Sequence, residues 1–124
     1  MTVELAKQIV FDNFKGKNNS FLFYLHEKND FSVERFWEFY ESITAMVLCG
    51  EEKTNEITEQ ITQCYQRLLK YIVFHFDPND DYVLENFPVN YIDYLERIDY
   101  AVMAYFVGNA KLIDENIFEL QKSE

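Results

Sequence analysis

Between His75 and Pro88 the chain reads "HFDPNDDYVLENFP", with Asp77, Asp80, Asp81 and Glu85 inside nine positions. Asp77, Asn79 and Asp81 stand at alternate positions, as the first oxygen ligands of a calcium loop do. A loop of that type needs Gly at its sixth position for the sharp turn and a bidentate Glu at its twelfth. Counted from Asp77, those places hold Tyr82 and Pro88, so the calcium loop is rejected.

Other chemistry fares no better. His26, His75, Cys49 and Cys64 show no HxxxH or CxxC spacing, so no metal ligand set is assigned. A hairpin of the two flanking helices would put Cys49 at its turn and Cys64 roughly 14 Å further along by helical rise. That exceeds the ~7 Å Cα limit for a disulfide. There is no GxSxG, GxxxxGK[ST] or GxGxxG. Adjacent acids such as Asp80/Asp81 and Glu51/Glu52 usually form a solvated face. We therefore expect no enzyme, catalytic residue or cofactor.

The elements that must position these residues read as helices. Three Gly and two Pro in 124 residues leave few turns, which favours long helices over a β-sandwich. The 48% apolar content supports one buried core. Helical spacing predicts a first helix over Val3–Lys15, with ridges Leu5/Ile9 and Ala6/Val10/Phe14, closed by Gly16. "KGKNNS" is a loop. "FLFYLHEK" reads as a short helix capped by Asn19 or Ser20, with a strand as the alternative. Ser32 to Gly50 is the next helix, buried along Phe36, Phe39, Tyr40, Ile43, Met46 and Val47, with Glu34, Glu38 and Glu41 largely opposite. Thr54 caps a long helix to Phe76, whose stripe is Ile57, Ile61, Cys64/Tyr65, Leu68, Ile72 and Phe76. Asp77–Pro78 ends it. Residues 80–86 could form one or two turns.

Asn90 then caps a helix with Asp93 at its third position. Tyr91, Leu95, Ile98, Val102 and Tyr105/Phe106 are its core stripe, and Gly108 stops it. Its first half, "YIDYLERIDY", is expected to show Asp93, Glu96, Arg97 and Tyr100 to solvent, with Tyr94 and Asp99 at the flanks. Its second half, "AVMAYFV", is expected to enter the core. A last helix is predicted from Ala110 to Gln121, with Ile113, Ile117 and Leu120 on one side. The expected fold is an all-α, compact single-domain bundle over residues 1–124, with about five main helices plus one or two short ones.

Charge then decides the kind of partner. Residues 77–124 hold three Lys/Arg against eleven Asp/Glu, a net of −8 of the chain's −11. Such a field repels nucleic acid and anionic lipid and attracts basic proteins. The candidate partner-binding surface is Asp77, Asp80, Asp81, Tyr82, Glu85, Asp93, Glu96, Asp99 and Tyr100. The plainer alternative is that Tyr82 and Phe87 pack inward and the acids are only solvated. The start, "MTVELAKQIVF", carries no secretory signal, and the longest apolar run, residues 100–107, is too short to span a membrane. A cytoplasmic setting is expected.

In its size, its acidic C-terminal part and the stretches "DPNDDYVLEN" and "YIDYLERIDY", the chain resembles bacterial immunity proteins of polymorphic-toxin and contact-dependent inhibition systems. The resemblance is one of character, so no family residue is carried over. It implies cytoplasmic neutralisation of a cognate toxin by direct binding, and a tRNA- or DNA-cleaving nuclease would suit the charge. Two other readings compete: a helical scaffold that forms homodimers through its aromatic surface, and a small hydrolytic or metal-dependent enzyme using buried carboxylates.

Overall fold

Thr2, Ser20, Ser32 and Thr54 each turn a side-chain oxygen to the backbone N–H three residues on, and each starts an α-helix. The computed structural model describes residues 1–123. It has α1 (Val3–Lys15), α2 (Phe21–Glu27), α3 (Val33–Leu48), α4 (Asn55–Phe76) and α5 (Tyr91–Val107), followed by 3-10 turns at Ala110–Leu112 and Glu115–Ile117. The all-α bundle expected from periodicity is the fold. Gly16, at φ 62°, ends α1 in the left-handed conformation. "FLFYLHE" is a helix and not a strand, and Ser20 rather than Asn19 is its cap.

Helix α1 packs on α3 and α4, α3 packs on α5, and α2 lies on α4. The core they enclose is aromatic. Phe21 meets Phe31 and Phe36 edge-on at 5.2 and 5.7 Å, and Phe36 meets Tyr94 at 4.8 Å. Each large side chain sealed from water here contributes about 1.5–3 kcal/mol. Asn13 is one of the few polar side chains buried among the described residues. Its amide donates to the Ile9 carbonyl and its oxygen accepts from Leu22 N–H at 3.0 Å, tying α1 to α2.

Some expected core positions lie elsewhere. Leu5 and Phe76 are exposed, because each sits at the rim of its helix's apolar arc. The second half of α5 is not wholly buried: Met103, Phe106 and Val107 face solvent.

The predicted helix from Ala110 to Gln121 does not form. Asn109 and Asp114 instead accept from Lys111 and Asn116 N–H and close two short turns. Such side chains compete with helical bonding. The strap from Asn109 to Ser123 runs on against α3 and α5. No helix among the described residues is long and apolar enough to cross a membrane.

Candidate functional site

The acidic loop hangs from the C-terminal end of α4. Asp77 caps that end, and its carboxylate accepts from Asn79 N–H at 2.9 Å. Asp80 accepts from Tyr82 N–H at 2.8 Å. Both side chains therefore brace their own turns. Asp81 and Glu85 are exposed. The backbone of Glu85 pairs with Asn29 and Phe31, and the buried Leu84 donates its N–H to His75 Nδ1 at 3.0 Å. The loop is thus fastened to two other segments.

Tyr82 turns inward. Its hydroxyl donates to the Leu25 carbonyl and its ring stacks on Tyr71 at 5.6 Å. Burial first, then Tyr71, pushes its phenol up. Phe87 stacks on His75 at 4.2 Å. For these two residues the plainer sequence alternative describes the packing.

Along α5, Ile92, Glu96, Asp99, Met103 and Phe106 follow at helical spacing and form an outward stripe. Asp99 also accepts from the Tyr65 hydroxyl of α4 at 3.2 Å. Burial, then the Asp99 charge and this bond, push the Tyr65 phenol up to about 12. Asp93 is half-buried beside the strap. Tyr100 packs edge-on against Phe118 of the strap at 5.3 Å, so most of its ring is covered.

Where α4 ends and α5 begins, Phe76, Phe87 and Tyr91 meet ring to ring at 5.2–5.5 Å. Val73, Phe76, Val89 and Ile92 leave more than half of their surface open there. This apolar strip, which the sequence reading missed, adjoins the acids. The excess of aliphatic residues at Val83, Val89 and Ile92, off any buried stripe, was the signal available.

Two expectations for α5, Arg97 at the surface and Tyr94 at its flank, are corrected. Tyr94 is buried in the aromatic core. Arg97 is 1% exposed. Its Nε and Nη2 donate to the Leu120 carbonyl at 3.0 and 2.6 Å, and its Nη1 donates to the Tyr40 hydroxyl and pairs with Glu115. Its guanidinium lies over the Phe118 ring, 4.3 Å from the centroid. Burial of the charge is tolerated because each nitrogen has a partner and the faces stack on rings.

Of the nine expected residues, the structure gathers Asp77, Asp80, Asp81 and Glu85 on the loop and sets Asp93, Glu96 and Asp99 along the next helix. Tyr82 and Tyr100 are largely committed to packing. Ion pairs among the described residues join Lys7–Glu51, Arg35–Glu38, Arg97–Glu115 and Lys122–Glu41. None of the seven carboxylates takes part in one. No three His, Cys, Asp or Glu side chains among the described residues converge as a metal-binding set. Comparison with protein-family models, curated proteins and solved structures found no match.

Proposed function

We propose that this all-α chain is an acidic protein-binding module that covers a basic surface on another protein. The observation that carries this reading is the set Asp77, Asp80, Asp81, Glu85, Asp93, Glu96 and Asp99. Among the described residues all seven lack a cation within ion-pair distance, and Asp77 and Glu96 adjoin Phe76 and Ile92 of the open strip along the chain and along α5. An apolar centre with a charged rim is how specific interfaces are commonly built. The carboxylates speed encounter with Arg and Lys, and the strip supplies the water-excluding contact.

Self-association through this face is the less favoured reading. A two-fold contact places each patch against its own copy, which would oppose the carboxylates to one another.

Taken with the resemblance in size and charge, the specific proposal is an immunity protein, acting in the cytoplasm, that neutralises a cognate toxin of nuclease type by direct binding. It acts as a binder and not as an enzyme. A neighbouring reading frame encoding a toxic domain supplies the test. Expression of that domain should arrest growth, and co-expression of this chain should restore it. Arrest unrelieved by co-expression contradicts the immunity reading.

A further inference from the structure

We propose that His75 is a pH-sensitive latch on the acidic loop: the neutral imidazole holds the Leu84 backbone, and protonation of the ring releases it. The loop's other ties to the fold are the Glu85 backbone pairing with Asn29 and Phe31, the Tyr82 hydroxyl on the Leu25 carbonyl, and the Asn86 amide on Asp30 at 2.9 Å. Of these bonds, only the one to His75 depends on a group that ordinarily titrates near neutral pH.

The geometry fixes the proton. A backbone N–H only donates, and that of Leu84 reaches His75 Nδ1 at 3.0 Å. Nδ1 therefore carries no proton, and the neutral ring keeps its proton on Nε2. Turning the ring over would set a carbon-bound hydrogen against the N–H and forfeit the bond. Protonation at Nδ1 sets N–H against N–H, and the Leu84 amide loses its acceptor. Leu84 is 3% exposed, so water is a poor substitute. The ring stacks on Phe87 at 4.2 Å and meets Phe76 edge-on at 5.0 Å, which resists its swinging aside.

Histidines ordinarily change charge between about pH 5 and 8. The latch is closed above that change and opens as pH falls through it. The titratable groups on the elements around the ring are Tyr71 and Asp77 at its own end of α4, Asp80, Asp81, Tyr82 and Glu85 of the loop, Asp30 of the bridged segment, Tyr91 of α5, and His26, Glu27 and Lys28 of α2 and its cap. None of them is within ion-pair distance of His75. His26 is the other histidine. Its Nδ1 bonds the Tyr71 hydroxyl at 3.0 Å, and Tyr71 stacks on Tyr82, so it is the control for the latch. An open latch frees the segment that bears Asp80, Asp81 and Glu85. Its effect on a partner rests on the reading of the acidic face, whereas the latch itself does not.

Hydrogen exchange of the Leu84 amide, taken as a protection factor, and the nitrogen shifts of the His75 ring test this on the whole chain. At about pH 8 the ring should show the Nε2–H tautomer. From there to about pH 5 the Leu84 protection should fall about ten-fold or more, in step with the titration of His75. His75→Asn, whose side-chain oxygen takes the place of Nδ1, should hold the protection nearly constant over that range. His26→Gln should leave the fall as in the parent. An Nδ1–H tautomer, a ring that stays neutral to about pH 5, or Leu84 protection that ignores the titration overturns the proposal on the parent chain alone. So does a fall that survives His75→Asn or is abolished by His26→Gln.

Discussion

Arg97 holds the C-terminal strap by its backbone: Nε and Nη2 both donate to the carbonyl oxygen of Leu120, at 3.0 and 2.6 Å. The Glu115 carboxylate and the Phe118 ring complete the clasp. A charged residue on α5 thereby fixes a segment that has almost no regular structure of its own.

Arg97→Met keeps the length and the apolar stem but removes every donor. The Leu120 carbonyl then loses both of its donors, and the Tyr40 hydroxyl keeps only its bond to Glu115. We expect a loss of about 2–4 kcal/mol in urea unfolding. Glu115→Gln should cost about 1 kcal/mol or less, because the Glu115 side chain is 57% exposed and hydrates readily. Equal effects of the two changes would show that the guanidinium does not organise the strap.

Asn13→Ala removes the bond to Leu22 that joins α1 to α2, together with the amide's bond to Ile9 within α1, and leaves the buried Leu22 N–H without an acceptor. The expected cost is about 1–3 kcal/mol, read as a lower urea midpoint at unchanged slope. A midpoint equal to that of the parent would contradict this role.

The two thiols should differ sharply. Cys49 is exposed, whereas Cys64 is buried and burial pushes its thiol up to about 12. A thiolate-specific reagent should label Cys49 in the native protein and Cys64 only on unfolding. Rapid native labelling of both would place Cys64 outside the core.

Tyr65 gives a pH signature. Folding holds its phenolic proton more tightly than the unfolded chain does, because burial and the Asp99 carboxylate disfavour the phenolate. The stability this adds is complete below the unfolded phenol value of about 10 and is lost as pH rises through about 12. Tyr65→Phe should remove a late step from the phenolate absorbance titration and flatten the alkaline decline in stability. An unchanged late step would assign it to another tyrosine.

Much of this fold was legible because its signals are local. Ser32 and Thr54 are caps by side-chain chemistry, and the stripe of Ile57, Ile61, Cys64, Leu68 and Ile72 needs only helical spacing. The strap was not legible. Residues 110–121 have a helix-compatible pattern, but the Arg97 clasp and the Asn109 and Asp114 turns override it. Arg97 misled for a related reason. Its charge suggested solvent, while its position three residues after Tyr94 and four before Ala101 placed it on the buried side of α5. At the candidate face, the loop acids could be read from the sequence. The inward turn of Tyr82 could not, because it depends on the Leu25 carbonyl, 57 residues away.

The acidic face itself is tested by affinity capture from the source cell, using the parent chain and an Asp80→Ser, Asp81→Ser, Glu85→Ser, Asp93→Ser, Glu96→Ser variant side by side. Each capture is run at about 0.05 M and about 0.5 M salt, across which surface charges become screened. The variant should melt like the parent. A basic protein retained by the parent at low salt, and released both by high salt and by the five substitutions, is the expected result. Retention of the same proteins by parent and variant, regardless of salt, would contradict the assignment of this face as the partner-binding surface.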